Sequence, residues 1–383
     1  MHLGFLSLLA CTAFVSAALG FSFPLLDFSL NRMEATGSMI GINAAMPALG
    51  WLLVTPFLPF LQHTFGTRRL LLVFLAIAIA AMVGFWIFPD IWLWIPLRFL
   101  FGGSIGIFFR IVEFWVNSAS PRHQKGRNIG IYAAIFCAGA ATGAALVAVV
   151  GSSGWQAHLF VCVLLSLGAF SLAGAKSAIP EITAPPNRSL SSFVLLLPVA
   201  MAGVLIWGMF ESVPYSFMPI YALRVGLSEE WAALTMSAFV LGGFAFPIPL
   251  GMLADRVDKQ KLLLSCGGFA FMMAFLMPQT LFSKELFLFS LFVWGGVGGG
   301  LYTVSLAVIG EHFNGASLAA SNAAFGTLYA FGAMIGPILN GAAMDVWNPD
   351  GLLVYAAILF GSFVVIAGWW LARRATAPVR EIP

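Results

Sequence analysis

Gly251-Met252-Leu253-Ala254-Asp255-Arg256-Val257-Asp258-Lys259-Gln260-Lys261 is a compact run of charge in a chain that carries little charge elsewhere. On either side the sequence is apolar, over about 229–254 and 261–281, and each stretch is near the ~20 residues that a helix needs to cross ~30 Å of hydrocarbon. A charged turn between two membrane-length segments reads as a helical hairpin of an integral membrane protein. Composition extends that reading to the whole chain. Of 383 residues, 61% are hydrophobic and 9% charged, against roughly 25% charged in soluble domains. At a mean hydropathy of +0.97, a water-soluble fold would expose large apolar patches. Disorder, collagen and secreted disulfide scaffolds are excluded by the same figures. β-Barrel strands are excluded by the long unbroken apolar runs, since a barrel alternates apolar and polar residues.

Cutting at charged or Pro/Gly-rich punctuation gives twelve spans, at about 3–30, 37–61, 69–88, 91–119, 128–150, 155–175, 193–223, 229–254, 261–281, 285–311, 317–344 and 350–373. Spans longer than the bilayer requires imply tilt, kinks or projecting ends. The one extended polar stretch, Lys176 to Ser189, separates six spans from six. The expected organisation is an all-α membrane protein of two pseudo-symmetric six-helix bundles, 1–175 and 193–383, joined by a linker at 176–192. Leu8-Leu9-Ala10-Cys11 imitates a lipoprotein cleavage box, but no Lys or Arg precedes Arg32 and apolar character continues to Leu30. A retained first membrane helix is therefore expected rather than a signal peptide.

The distribution of Lys and Arg gives the orientation. With the N-terminus inside, inner loops hold Arg68, Arg69, Arg122, Lys125, Arg127, Lys176, Arg188, Arg256, Lys259, Lys261, Arg373, Arg374 and Arg380, thirteen of the eighteen. Outer loops hold Arg32, Arg224 and Lys284, and Arg98 and Arg110 lie within span four. Both termini are expected in the cytoplasm. A net charge of +3 without a Lys/Arg-rich tract gives no footprint for nucleic acid. The four cysteines lie singly in apolar segments, and no zinc, P-loop, dinucleotide or nucleophile signature appears. No metal or cofactor is expected, no enzyme chemistry is indicated, and transport would draw on a gradient.

The halves echo one another at an offset near 193. Gly102-Gly103 corresponds to Gly295-Gly296, Gly106 to Gly299, and Gly139-x-x-x-Gly143 to Gly332-x-x-x-Gly336. Matching small residues in two six-span halves are what a repeat-built transporter predicts.

Charges inside spans are costly, about 2.5–3.5 kcal/mol each on insertion scales, and normally face a partner or a cavity. In span four, Arg98, Gly102, Gly106, Arg110, Glu113 and Asn117 fall within one ~120° arc. That face can be a cavity wall, with Arg98 or Arg110 drawing an anionic group and Glu113 exchanging a proton. Equally, Arg110 and Glu113, three residues apart, can form a structural pair. Glu211 is the one charge well inside span seven, near mid-depth, with Trp207, Gly208 and Tyr215 on its face and Pro214 and Pro219 beyond it. Such a carboxylate can take up and release a proton, or pair with a cation such as Arg98. Prolines there permit a bend. Asp27, near the outer end of span one, reads as a solvated residue. Asn43, Tyr302, Tyr329 and Asn340 either line a cavity or link helices.

The quoted loop resembles the loop signature of the major facilitator superfamily, G-x-L-A-D-R-x-G-R-K. The resemblance implies that Gly251, Asp255, Arg256 and Lys259 latch the inner face, Gly251 by letting helices approach and Asp255 by pairing with an Arg or capping a helix. Arg98-Phe-Leu-Phe-Gly102 resembles the span-four Arg motif of proton-coupled members. Val112-Glu113-Phe-Trp115-Val-Asn117, Gly126-Arg127-Asn-Ile-Gly-Ile-Tyr132, Pro219-Ile-Tyr221-Ala and Gly336-Pro337-Ile-Leu-Asn-Gly341-Ala-Ala-Met-Asp345 are similar to its YcaD-like branch of small bacterial permeases. In the first-half loop His63 and Thr64 replace the acid and the Arg, so that copy of the latch lacks its carboxylate. The G-x-x-x-G-P-x-x-x-G pattern carried by drug antiporters in span five occurs here in span eleven, which argues against a drug antiporter.

The combined expectation is a monomeric secondary transporter of the bacterial inner membrane that moves a small organic solute by alternating access, coupled to protons. Glu113 and Glu211 are expected to exchange protons. Arg98, Arg110, Asn117, Trp207, Tyr215 and Tyr302 are expected to meet substrate. A proton-independent uniporter and a lipid scramblase remain as other readings, and direction of transport is open.

Overall fold

The computed structural model describes residues 2–119, 125–172 and 190–376. Most of the expected linker therefore lies outside the described residues, as do Arg122, His123, Lys176, Arg188 and Arg380. Among the described residues the chain is helices joined by short turns, without strands.

Span 1 is His2–Arg32, and span 2 runs from Gly37–Val54 through a 3₁₀ turn, Thr55–Phe57, into Leu58–Phe65. Span 3 is Thr67–Ile87, span 4 Ile91–Ala119, span 5 Lys125–Val150 and span 6 Gly154–Ser171. In the second set, span 8 is Glu229–Ala245 with Pro247–Ala254, and span 9 is Lys259–Leu276 with a 3₁₀ end. Span 10 is Lys284–Gly298 with Gly300–His312, span 11 Gly315–Val346 and span 12 Gly351–Thr376. Eleven of these are helices long and apolar enough to cross a membrane. Span 7 is the exception because it is broken into Leu190–Leu196, Pro198–Phe210, a π turn at Val213–Phe217 and Met218–Arg224. Pro198, Pro214 and Pro219 each withhold a backbone N–H, which interrupts the helical ladder. Pro214 and Pro219, read from the sequence as permitting a bend, stand where the helix is interrupted, and Glu211 is the C-cap of the segment before them.

The packing repeats with a shift of six spans. Spans 1 and 5 lie together as do 7 and 11, spans 2 and 4 as do 8 and 10, and spans 3 and 6 as do 9 and 12. The sets meet where span 2 packs on span 11 and span 5 on span 8, again a symmetric pair, with span 1 against the outer part of span 7. The glycine echo has a physical cause. Gly139 and Gly143 bring span 5 onto Ser16 and Ala17 of span 1, while Gly332 and Gly336 bring span 11 onto Leu205 and Met209 of span 7. A Cβ at these positions would strike neighbouring atoms, so only glycine allows the approach.

The two ends of the molecule differ. At the end bearing Arg32, the Asp345 carboxylate of span 11 accepts from Gly37 N at 2.5 Å, Ser38 N at 2.8 Å and Ser38 Oγ at 2.6 Å. An acidic group there satisfies orphan N–H donors at the positive end of span 2. Arg32 pairs with Glu229 at 2.8 Å, and Ser152 donates to the same carboxylate. Slightly deeper, Ser237 Oγ donates to Ala141 O at 2.8 Å. These bonds cross from the first six spans to the last six.

At the opposite end, bearing Asp255, the latch expected from the loop is not assembled in this conformation. Asp255 and Arg256 are exposed, and a Cβ on Gly251 would meet nothing within 4 Å, so that glycine is not holding helices together. Asp258, rather than Asp255, caps a helix: it accepts from Gln260 N and Lys261 N at 2.9 Å each. Lys259 pairs with Glu311 at 3.3 Å, within the last six spans.

Candidate functional site

Span 4 carries the site. Gly102 lies on Pro47 and Gly103 on Gly50, so the small residues of its polar face press it against span 2. That leaves two ionic centres on one helix, about 18 Å apart at 1.5 Å per residue.

The first is sealed. Arg98 Nη2 lies 3.6 Å from Asp27 Oδ1, and the two side chains are 2% and 1% exposed. Phe23 packs on the guanidinium, 5.3 Å from ring centre to Cζ, and is itself covered by Tyr215 at 5.2 Å. The solvated reading of Asp27 is corrected here. It is buried because Arg98 reaches across from span 4, and a charge inside helices is retained only against an opposite one. Arg98, expected to meet substrate, is closed off in this conformation.

The second centre is open. Arg110 and Glu113 are exposed although they lie well inside span 4. The mutual pair that stood as the alternative to a cavity wall is not among the described ion pairs. Instead Arg110 stacks over Trp51 of span 2, with Cζ 4.3 Å from the ring centre. Its Nη2 points toward span 11, 3.6 Å from where a Cβ on Gly326 would stand. The Trp51 ring meets Tyr329 edge-on at 6.2 Å, Tyr329 meets Tyr302 at 5.6 Å, and Tyr302 meets Phe325 at 4.9 Å. The Tyr329 hydroxyl donates to Glu211 at the break in span 7. Tyr132 of span 5 and Tyr302 both lie within electrostatic reach of Arg110 and Glu113. Spans 2, 4, 5, 7, 10 and 11 thus converge on one wall of aromatic rings, one cation and two carboxylates.

Glu211 and Tyr302 therefore join the centre, and the alternative of a Glu211–Arg98 pair is not what forms. Tyr215 packs instead between the two sets of spans near the sealed centre. Trp207 is half-buried within the last six spans, stacked on Phe239 at 6.1 Å and next to Phe210 at 5.8 Å. Asn117 is on span 4, but its side chain lies outside the described residues. Trp51, Phe325 and Gly326 carry no sequence signal that separates them from packing residues. Among the described residues, no three His, Cys, Asp or Glu side chains are grouped to hold a metal ion.

A family model described as Major Facilitator Superfamily matches residues 5–296 and 201–383. The chain belongs to that superfamily. It is 26% identical over 363 residues, 92% of this chain and 90% of the relative, to an uncharacterized MFS-type transporter, YfkF, of Bacillus subtilis (strain 168). It is 25% identical over 333 residues, 85% of each chain, to the uncharacterized MFS-type transporter YcaD of Salmonella newport (strain SL254). The branch resemblance read from the motifs agrees with both. Solved structures share the fold. A variant of the nucleoside transporter NupG matches with a TM-score of 0.78 at 14% identity, covering 96% of this chain and 99% of that one. A bacterial homologue of the human lysosomal transporter Spinster, inward-facing and occupied, matches at 0.77 and 13% identity, covering 97% and 96%. A D-xylose–proton symporter matches at 0.69 and 14% identity, covering 96% and 97%. The chain is an integral membrane protein of a transporter family.

Proposed function

We propose that this protein is a proton-coupled secondary carrier that moves a small organic solute across the bacterial inner membrane by alternating access, acting as a monomer and without catalysis. The observation that carries the reading is the open centre: exposed Arg110 of the first six spans and Glu211 of the last six are joined through Trp51 and Tyr329. Burying Arg110, Glu113 and Glu211 against lipid would be costly, so water and solute are their natural neighbours. On the positive-inside rule, the end bearing Arg68, Arg69, Arg256, Lys259 and Lys261 is cytoplasmic, as are both termini. The bonds made by Asp345, Glu229 and Ser237 would then shut the outer side, leaving the site open inward. Residues 1–175 and 193–383 would rock as two bodies, with the inner loop residues Gly251, Asp255, Arg256 and Lys259 engaging when that side closes.

Glu211 is the first choice for the proton-exchanging group. Protonation would end its service as an acceptor for Tyr329 in the charged form, and Tyr329 meets Trp51 of span 2 edge-on. Proton uptake is thus placed to alter contacts between span 2, span 7 and span 11. Glu113, one turn from Arg110, is the second choice. In proteoliposomes, Glu211→Gln is expected to reduce pH-gradient-driven solute movement at least tenfold, with Glu113→Gln less severe. Full gradient-driven movement in both variants would overturn the proton assignment, and flux indifferent to collapse of the gradient would favour a uniporter.

A further inference from the structure

We infer that the carried solute is a planar organic monoanion, an aromatic or conjugated body bearing one carboxylate-like group, held with its anionic end on Arg110 and its flat body among Trp51, Tyr302 and Tyr329. The inference rests on the carrier reading above and gives that site a substrate class.

Three features of the open centre lead to it. Arg98 is paired with Asp27 and 2% exposed, so Arg110 is the cation that the open wall presents. Arg110 Cζ stands over the Trp51 ring, 4.3 Å from its centre. A guanidinium held over a ring by cation–π attraction does not spend its N–H donors on that contact, and their fork is what grips a carboxylate with two parallel bonds. Span 11 approaches Nη2 with Gly326 and no side chain, 3.6 Å from where a Cβ would stand, and Arg110 itself is exposed, so the guanidinium stays within reach of a ligand.

The rings define the rest of the ligand. Trp51, Tyr329 and Tyr302 follow one another at 6.2 and 5.6 Å, each edge-on to the next. Tyr302 is 36% exposed, so part of it remains open to solute. Flat conjugated bodies are favoured against such walls over bulky aliphatic ones. Carboxylates here do not make the site one for cations. Glu211 is engaged by the Tyr329 hydroxyl, and Glu113, one turn beyond Arg110, is exposed. A solute anion on Arg110 then raises the negative charge around Glu113 and Glu211, which favours taking up a proton with it.

The test uses an isosteric series, 1-naphthoate, 1-naphthamide and 1-naphthylmethylammonium, titrated into the detergent-purified full chain by calorimetry with no gradient imposed. The expected result is naphthoate binding at least tenfold tighter than the amide and the cation. Arg110→Gln is expected to bring naphthoate down to the level of the amide while leaving the amide unchanged. Arg110→Lys, which keeps the charge without the fork, is expected to retain an intermediate preference, and Trp51→Ala to weaken all three probes. Equal or tighter binding of the cation, a naphthoate preference that survives Arg110→Gln, or no binding of any probe at millimolar concentration would each overturn the inference. Because no gradient is present, failure of proton coupling would not alter these outcomes. Conversely, pH-driven movement of a neutral or cationic solute would leave the carrier standing and end the anion assignment alone.

Discussion

Arg98 and Arg110 stand on the same face of the same helix, twelve positions apart, yet one is sealed and the other is open. Arg98 is 2% exposed against Asp27; Arg110 is exposed, with a tryptophan beneath it and a glycine opposite. Helix periodicity cannot distinguish them. What differs is depth relative to the place where the two sets of spans meet. Near the Arg32 end, spans 1 and 7 close over Arg98 through Phe23 and Tyr215. Farther along, span 11 presents Gly326, and on the same helix face Arg110 and Glu113 are exposed. One cation is thus part of the scaffold and the other is available to a ligand.

Removing a sealed charge should hurt most. Arg98→Leu would strand Asp27 in a dry interior, expected to cost about 3–5 kcal/mol and to lower the thermal midpoint in detergent by several degrees. Asp27→Asn combined with Arg98→Gln should recover most of that loss. If Arg98→Leu alone is as stable as the parent protein, the pair is not the brace described here. The next effect is conformational. Asp345→Ala removes the carboxylate that caps span 2, worth about 1 kcal/mol, roughly a fivefold change in the balance between states. Spin-label distances between spans 2 and 11 at the Arg32 end should then show a larger open fraction; an unchanged distribution would mean that the cap does not hold this end. The smallest effect on stability belongs to Arg110→Ala, which loses a partly solvated cation–π contact worth about 0.5–1 kcal/mol. A midpoint shift as large as that of Arg98→Leu would erase the distinction between the two centres.

Much of the architecture was legible from apolar length and charge placement. The breaks near Asp90 and Gly151–Gly154 appear where the turns were expected, and Pro214 and Pro219 do lie at an interruption of span 7. Gly139, Gly143, Gly332 and Gly336 announced close helix contacts because only a missing side chain permits them. The candidate site was legible in part. Glu211, Glu113, Arg110 and Tyr302 stood out as polar groups that lipid would not accept. Trp51 and Gly326 did not, since a tryptophan or glycine inside an apolar span is chemically unremarkable until its neighbours are known. Asp27 misled for a related reason: five residues from a helix end, it reads as wet, and only Arg98 arriving from another span makes it dry. Asp255 likewise carries a family motif, whereas Asp258 does the capping because it stands immediately before the first turn of span 9.

From the order of residues alone come the membrane, the twelve spans, the internal repeat and the short list of charges that must have a purpose. Those follow from local rules: the length of hydrocarbon to be crossed, the cost of a charge within it, and the period of a helix. Which charges pair, which rings touch and which end is shut depend on side chains hundreds of positions apart, such as Gly37 with Asp345. No local rule encodes such meetings, because they are set by how helices pack across the junction of the two halves.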